Sequence, residues 1–286
     1  MRELKFLIPY VVFTSFSYFF AKDGLQYASP PLAFMAFRYL IAGAILLAIS
    51  RKLVLKMDVI YLTLFTVAST AFWIYGLAYV SPSQSAVLSY TMPLFSLPIA
   101  FLLVRESPPS RMEVLGIVVG FAGVFIYGIP PLVHGFTFLG MVLTIVNAVF
   151  WATFTVLYRR LREEEPISVN ATQFVVGAAI LFALSSFNFR VSFNLQFTED
   201  LLWMATLGGA LQFLLWNLMV RVSKVNRVTV LAFSVPIFTI VLEAVMNHSM
   251  PTYYGIAGVA VMFIGILISR LRGGISIVRP PQETVK

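Results

Sequence analysis

Apolar runs of about 20 residues are the feature that most constrains this chain. A helix needs roughly 20 mostly apolar residues to cross a bilayer, and polar residues, Pro or Gly divide the 286-residue sequence into ten such runs. Charged residues make up only 11% of the chain, against about 25% in a soluble domain. We therefore predict an all-α, polytopic membrane protein with ten transmembrane helices, although the short "VSPSQS" break between spans 3 and 4 leaves nine as the alternative count. The predicted spans 1 to 10 cover residues 5–22, 31–50, 58–79, 83–104, 112–130, 136–158, 166–187, 199–220, 226–246 and 252–270.

The cationic residues predict how these spans are oriented. If the N-terminus is cytoplasmic, 17 of the 20 Lys and Arg residues fall on inner segments, while only Lys22 and Arg190 fall on outer ones. Positive charge is retained on the cytoplasmic side of membrane proteins. We expect a multi-pass plasma-membrane protein with both termini cytoplasmic and a cytoplasmic tail at 271–286. The net charge of +8 then reflects topology, and we expect no nucleic-acid partner. "FFAKDG" offers no small-x-small cleavage site after the first run, so we expect that run to be retained as span 1.

One proline-containing stretch occurs twice. "VLSYTMPLF" at 87–95 returns as "VLAFSVPIF" at 230–238, which places Pro93 and Pro236 143 positions apart. Trp73 and Trp216 have the same spacing, and Gly116 and Gly123 return as Gly258 and Gly265, while Pro31 returns as Pro166. Five spans form each copy, and five is odd, so the second copy must enter the membrane from the opposite side. We predict a 5+5 inverted-topology repeat, with repeats at 1–130 and 136–270 and a substrate site between them.

The paired prolines are candidates for gating residues. A proline inside a helix lacks its amide hydrogen and crowds the carbonyl four residues earlier, and lipid does not satisfy a freed carbonyl. Pro93 and Pro236 are therefore expected to bend spans 4 and 9 beside a pathway. The alternative is that both prolines only shape packing.

The sequence resembles the drug/metabolite transporter superfamily, in its ten-helix EamA-type branch. The resemblance is carried by the stretches "VLSYTMPLFSLPIAFLLVRES", "LGIVVGFAGVFIYG", "NAVFWATFTVLYRR", "LWNLMVRVSKVNRVTVLAFSVPIF" and "GIAGVAVMFIGILIS".

That resemblance implies a 5+5 inverted fold, alternating access, a central cavity, and most often export of amino acids, other metabolites or toxic organic compounds. The chain departs from the family pattern at two pairs of positions. The acidic residue after span 4 is Glu106, but its counterpart is His248, and Phe16 stands where a Trp is usual, opposite Trp151.

Polar and aromatic residues one helical turn apart predict a substrate site. Residues four apart share a helix face, and an amide beside an aromatic ring suits a small organic molecule. The alternative is that these side chains hydrogen-bond one helix to another. The predicted substrate-binding residues are Asn147, Trp151, Gln212, Trp216, Asn217, Tyr75, Tyr79, Ser89 and Tyr90.

Two charged residues fall inside predicted spans, Arg38 in span 2 and Glu243 in span 9. A charge within the membrane is expensive unless paired or hydrated, so such residues are functional candidates. Arg38 matches an arginine that the resemblance associates with a structural role. Glu243 is left with three interpretations: a proton carrier, a partner of Arg38, or a residue that reaches outer water.

Other functional classes find less support in the sequence. All three aspartates lie at span ends, and His134 and His248 fall in outer loops, which disfavours an intramembrane protease or a zinc site. With no cysteine present, thiolate metal sites are excluded. We expect a non-enzymatic transporter without a cofactor or metal, whose partners are a small molecule and membrane lipid. A lipid flippase or scramblase is the alternative, and small-residue faces at spans 5 and 10 leave both a monomer and a homodimer open.

Overall fold

The computed structural model describes residues 4–104, 109–134, 137–185, 189–248 and 252–271. Within these residues, nine helical segments are long and apolar enough to cross a membrane, and Tyr253–Ser269 is a shorter apolar helix. The ten-span prediction is thus confirmed. The helices are α1 Leu4–Gly24, α2 Pro31–Ser50, α3 Met57–Tyr79, α4 Pro82–Ser89, α5 Met92–Val104, α6 Arg111–His134, α7 Phe138–Arg160, α8 Pro166–Leu184, α9 Leu195–Ala205, α10 Gln212–Val222, α11 Val225–Leu231, α12 Ser234–Met246 and α13 Tyr253–Arg270.

Three spans are built from two helices each. Span 4 is α4 and α5, span 9 is α11 and α12, and span 8 is α9 and α10 joined by a π-helical segment at Thr206–Leu211. A 3₁₀ turn at Leu25–Tyr27 follows α1, and strand β1 (Ala28–Ser29) pairs antiparallel with β2 (Arg190–Val191).

The loops gather at two ends of the bundle. At one, which we call the basic end, Lys56 pairs with Glu164, and Arg160 lies 3.7 Å from Asp58. At the opposite or far end, the β1–β2 pair ties the loop after span 1 to the loop after span 7. Successive loops therefore alternate between the two ends, as ten membrane crossings require.

Helix packing repeats between the two halves. Span 1 packs against span 8 as span 6 packs against span 3, while span 2 lies along span 7 and span 5 along span 10. Exchanging the first five spans with the last five leaves this set of pairs unchanged. Since five spans separate the copies, the two-repeat fold is inverted. Large exposed apolar side chains, such as Phe101 and Leu102, lie on the outside of the bundle, as expected for a lipid-facing surface.

Spans 4 and 9 break just before the paired prolines. α4 ends at Ser89 and α5 begins at Met92, while α11 ends at Leu231 and α12 begins at Ser234. Pro93 and Pro236 therefore lie in the first turn of a new helix, where a missing amide hydrogen costs little because the first amides of a helix have no partner within that helix. Each span is thus interrupted where a bend was expected, and its proline begins the second piece.

Glycines bring spans 5 and 10 into close contact. A Cβ on Gly116 would lie 2.6 Å from the carbonyl oxygen of Gly265, and one on Gly123 would lie 2.6 Å from that of Gly258. Only a residue without a side chain fits at these positions. This small-residue face is used for packing between spans 5 and 10 of the same chain. The sequence left that interpretation open beside contact between two copies of the chain.

Candidate functional site: a central cavity between the two repeats

A cavity lies where spans 1, 2, 3, 4, 6 and 8 converge. About 540 Å³ of empty space lies within it, including the part that is open to solvent. Both repeats contribute to its wall, which is mostly aromatic and polar. The lining residues are Tyr10, Thr14, Ser17, Tyr18, Arg38, Ser69, Thr70, Trp73, Ser89, Tyr90, Met92, Asn147, Trp151, Gln212 and Phe213.

Asn147 joins three spans at the cavity wall. Ser69 on α3 donates a hydrogen bond to Asn147 Oδ1 at 2.6 Å, and Asn147 Nδ2 donates to Ser89 Oγ, the last residue of α4, at 3.0 Å. The amide is therefore partly used as an interhelical hydrogen-bonding group, which is the alternative interpretation of the sequence. It also fixes the end of α4 at the point where span 4 breaks.

Tyrosines form a second polar group on the wall. The hydroxyls of Tyr10 on α1 and Tyr90 at the break in span 4 lie 2.9 Å apart. Tyr18, two turns along α1 from Tyr10, packs edge-on against Trp73 with ring centroids 5.5 Å apart. Tyr10, Thr14 and Tyr18 follow each other at intervals of four residues, so one face of α1 supplies much of the wall.

Arg38 is the one cationic residue on the wall, and it is only 3% exposed. Its Nε donates to the carbonyl of Met204 at 3.0 Å, and its Nη2 donates to that of Gly208 at 2.6 Å. Among the described residues, no carboxylate lies within ion-pair distance of it. The guanidinium is thus held by backbone dipoles, and no side chain in the described part of the chain neutralises its charge.

The two carbonyls that hold Arg38 lie at the π-helical segment: Gly208 is within Thr206–Leu211, and Met204 is two residues before it. π-Turns of this kind are frequent at functional sites. The sequence of this segment, "TLGGAL", contains two glycines that each lie close to a neighbouring group. A Cβ on Gly208 would lie 2.2 Å from Ser17 Oγ, and a Cβ on Gly209 would lie 2.5 Å from the carbonyl oxygen of Met204. Gly208 lets α1 approach span 8 closely beside the carbonyls that hold Arg38.

Several lining residues carry buried polar atoms without a hydrogen-bond partner in the described part of the chain. They are Thr14 Oγ1, the indole Nε1 of Trp73 and Gln212 Oε1. An unpaired buried polar atom costs about 1–3 kcal/mol. Together they give the cavity unused donors and acceptors beside apolar rings, which suits binding. No group of His, Cys, Asp or Glu in the described ranges could hold a metal ion.

Five of the nine predicted substrate-binding residues meet at this cavity: Asn147, Trp151, Gln212, Ser89 and Tyr90. The other four lie outside this lining. Trp216 is fully buried and donates to Thr155 Oγ1 at 3.0 Å, and Asn217 donates to Asn170 Oδ1 at 2.9 Å. Tyr75 is partly buried outside the lining, and Tyr79 is 50% exposed at the far end.

The contribution of span 1 to the wall was not predicted from the sequence. Tyr10, Thr14 and Tyr18 are lining residues whose four-residue spacing is visible in the sequence, but an apolar run with a few tyrosines is also typical of a lipid-facing helix. The sequence marks Trp73 as a residue that is repeated at Trp216, but it does not indicate that Trp73 lines the cavity. Phe213 carries no polar signal, so only the fold places it there.

Glu243 does not pair with Arg38. Its Oε2 accepts a hydrogen bond from the backbone N–H of Ser83 at 2.9 Å and lies 3.4 Å from Ser81 Oγ. Those residues form the N-terminus of α4, where a carboxylate is favourable because the helix dipole is positive there. Glu243 thus joins span 9 to span 4 at the far end, and pairing with Arg38 is ruled out in this structure.

Most of the lining residues lie between the middle of their spans and the far end, whereas the basic half of the bundle is packed. Trp216, Phe154 and Phe174 are fully buried there. Four side chains in this half keep buried polar atoms without a partner in the described residues: Tyr158, Gln173, Asn217 and Asn226. The cavity therefore extends from the middle of the bundle toward the far end, and packed side chains close it toward the basic end.

Comparisons with known proteins agree with this architecture. The model of the EamA-like transporter family matches residues 2–129 and 138–271, one match in each half. A protein of Acidianus ambivalens named "Uncharacterized transporter in sor 3'region" is 47% identical over 83% of this chain and 93% of its own length. The "Uncharacterized transporter YvbV" of Bacillus subtilis (strain 168) is 26% identical over 87% of this chain and 85% of its own.

A protein of known crystal structure shares the fold. It superimposes with a TM-score of 0.77 at 18% sequence identity, and the alignment covers 95% of this chain and 97% of the other. At that identity the likeness concerns the fold alone.

Proposed function

Because this chain belongs to the EamA-like transporter family, we propose that it carries a small organic molecule across the membrane by alternating access. In this mechanism the central cavity opens to one side of the membrane at a time. The observation that carries the proposal is the contrast between the two halves, since the cavity reaches toward the far end and packed side chains separate it from the basic end.

The buried polar atoms in the closed half support this proposal. Tyr158 OH, both polar side-chain atoms of Gln173, and Asn217 Oδ1 lack partners among the described residues, although each unpaired atom costs about 1–3 kcal/mol. In a state open toward the basic end, these groups would face water and recover hydrogen bonds. The recovered hydrogen bonds would offset part of the free energy needed to separate the packed apolar side chains, so the two states would be close enough in energy to interconvert.

We further propose that the basic end is cytoplasmic, that the protein lies in the plasma membrane, and that it exports its substrate. The charge asymmetry of the loops supports the orientation. A single cysteine at Ser276, which lies outside the described residues, tests it because the chain has no cysteine of its own. We expect an impermeant thiol reagent to label this cysteine only after the membrane is opened. Labelling in intact cells would contradict the orientation.

A transport assay with matched variants tests the function. Purified protein in sealed vesicles should take up members of a labelled metabolite pool saturably. Trp151→Ala should reduce uptake strongly because the ring lines the cavity, whereas Tyr79→Ala should leave it unchanged because Tyr79 is half exposed and lies outside the lining. Equal uptake by both variants would contradict transport through this cavity.

Lipid movement is the second candidate function. Spans 4 and 9 are both interrupted, and a groove beside an interrupted span could admit a lipid headgroup. The same vesicles, loaded with a fluorescent lipid probe, separate the two functions. We expect the probe to cross the bilayer no faster than in protein-free vesicles. Rapid probe movement without metabolite uptake would favour the flippase or scramblase.

A further inference from the structure

Arg38 points to the chemical class of the substrate. We propose that the cavity binds a monocarboxylate with a small apolar or aromatic body, and that Arg38 forms the carboxylate subsite. This inference rests on the proposed transport function, since it specifies what the same cavity takes. It is carried by the unused donors and the uncompensated charge of Arg38, and by the chemistry of the wall around it.

The hydrogen bonds of Arg38 leave one edge of its guanidinium group free. A guanidinium has five N–H donors arranged in a rigid fork. Nε and Nη2 bind the carbonyls of Met204 and Gly208, which occupies the side edge of the group, and Nη1 lies 3.6 Å from Met35 Sδ, a weak acceptor. One N–H on Nη1 and one on Nη2 remain. These two form the end edge, which matches the two oxygens of a carboxylate.

The charge of Arg38 calls for an anion in the cavity. The residue is 3% exposed, and no carboxylate lies within ion-pair distance of it in the described residues. Rings of Phe213 and Trp73 lie 5.6 Å and 5.9 Å from its central carbon. Aromatic faces attract a cation, but they do not neutralise it. A monoanionic substrate would supply the missing charge, whereas a dianion would exceed it by one.

The rest of the wall favours an organic acid over a cation. Within the described residues, the lining contains no Asp or Glu, so a cationic substrate would find no countercharge and would be repelled by Arg38. Trp73, Trp151 and Phe213 offer apolar area for the body of the molecule, and the unpaired Trp73 Nε1 provides a further donor. Gln212 Oε1 is an unpaired acceptor for a hydroxyl or amino group on the same molecule.

Matched compounds that differ only in charge test the inference on the unmodified protein. Phenylacetate, phenylacetamide and 2-phenylethylamine share one body, and isovalerate, isovaleramide and isoamylamine form an aliphatic set. Binding is measured as ligand-induced thermal stabilisation of protein in lipid nanodiscs. At least one acid should bind wild type about tenfold or more tightly than its amide, because a charge-assisted pair contributes roughly that factor. Equal affinity for acid and amide, or no stabilisation by either acid, would overturn the proposal.

Variants then assign the preference to Arg38. Arg38→Gln should remove the difference between acid and amide, and Arg38→Lys should keep part of it because the charge remains without the fork. Arg190→Gln makes the same charge change at an exposed far-end position and should bind as wild type does. Unchanged acid preference in Arg38→Gln would overturn the assignment. If Arg38→Gln does not fold, the comparison of acids with amides on the wild-type protein still tests whether the cavity prefers a carboxylate.

The same compounds separate this inference from the function on which it rests. If vesicles carry an amide or an amine, and Trp151→Ala stops that uptake, the protein is a transporter through this cavity and the carboxylate subsite is wrong. If an acid binds in an Arg38-dependent way but is not carried, the subsite stands and transport fails.

Discussion

The two repeats place a tryptophan at the same position and use it differently. Trp73 and Trp216 are 143 residues apart and both contact the first span of their own repeat, Trp73 through Tyr18 and Trp216 through Thr155. Trp216 is fully buried with its indole N–H bonded. Trp73 lines the cavity, and its N–H has no partner in the described residues. The tryptophan of the second repeat is therefore part of the packed interior, whereas that of the first repeat is part of the cavity wall.

Contacts at the ends of the spans are repeated more faithfully. Lys22 Nζ donates to the carbonyls of Leu77 and Ala78 at 2.7 and 3.0 Å, and Arg159 Nη1 donates to those of Val220 and Arg221 at 2.7 and 2.9 Å. These acceptor pairs are again 143 residues apart. A cation at the C-terminus of a helix is favourable in either orientation, so the inversion preserves this contact.

Residues in the middle of the spans have diverged. Counting from Pro31 and Pro166, which are 135 residues apart, Arg38 corresponds to Gln173. Arg38 is bonded to two carbonyls of span 8, whereas neither polar atom of the fully buried Gln173 side chain has a partner in the described part of the chain. The comparison indicates that the ends of the helices hold the scaffold, while the middle positions distinguish the cavity side from the closed side.

The largest expected effect tests the part of the scaffold that the repeats share. Gly116→Ala and Gly258→Ala are equivalent changes, because the new Cβ would meet the Gly265 carbonyl oxygen at 2.6 Å and that of Gly123 at 2.8 Å. A clash with backbone has no flexible side chain to relieve it, so each should lower the free energy of unfolding by about 1–3 kcal/mol. Thermal unfolding in detergent measures the loss. Gly128→Ala is the control, since nothing lies within 4 Å of its Cβ.

Unequal losses of stability would show a difference between the two equivalent glycines. If Gly116→Ala were harmless and Gly258→Ala severe, the seam between spans 5 and 10 would be symmetric in sequence but not in packing. A loss of stability in Gly128→Ala similar to the other two would contradict the assignment to the seam.

The next largest effect distinguishes the two tryptophans. Trp216→Phe removes a buried hydrogen bond and leaves a small void, and we expect it to cost about 1–2 kcal/mol of stability. Trp73→Phe removes no hydrogen bond in this structure and should cost less, while reducing transport because it alters the cavity wall. Unfolding temperature and vesicle uptake are measured on both. Equal losses of stability would show that the two positions do not differ as described.

Much of the scaffold could be predicted because it depends on local and periodic features. Apolar run lengths predict the spans, and the spacing of Pro93 from Pro236 predicts the repeat. The interruption before each proline could not be predicted, since sequence alone does not show whether a helix bends at a proline or ends and restarts there. The same holds for the π-helical segment, where "GG" indicates only close approach.

The cavity could be predicted only in part. Asn147 and Trp151 were found because their one-turn spacing combines an amide with a ring. By the same rule Gln212 and Trp216 share a face, yet Gln212 lines the cavity and Trp216 lies in the closed half. A helical face fixes direction around the axis and not depth along it. Depth depends on which half of the bundle holds the cavity, and the sequence is nearly symmetric in that respect.

A smaller effect, on rate and state, is expected at the paired prolines. Alanine restores the donor that a continuous helix needs, so Pro93→Ala and Pro236→Ala should fold, slow transport severalfold, and bias the protein toward opposite-facing states. Cysteines at Ser83 and Asn226, which lie in the first turns of α4 and α11 and are both buried, should change their reactivity toward a thiol reagent in opposite directions. If both variants transport normally and shift reactivity in neither direction, the prolines are packing features.

The smallest expected effect concerns how the second spans of the two repeats begin. Pro30 precedes α2 without a side-chain cap, whereas Glu165 precedes α8 and accepts from the amides of Ile167 and Ser168. Partial burial acts to raise the pKa of Glu165, but hydrogen bonds from Ser168 and from these amides outweigh it, so its pKa lies below the ordinary 4.5. A carboxyl whose pKa is lowered on folding stabilises the protein above its unfolded pKa and loses that contribution as pH falls through the folded pKa.

Glu165→Ala should therefore cost a few tenths to about 1 kcal/mol at neutral pH, and the difference from wild type should shrink below about pH 4.5 as the carboxyl becomes protonated. Thermal unfolding at pH 7 and pH 4 measures both values, with Glu163→Ala as the control because that side chain is exposed in the same loop. An effect of Glu165→Ala that is equal at both pH values would assign the cap to helix geometry and not to charge. The start of α8 should then be no more sensitive to acid than the start of α2, which lacks this carboxylate.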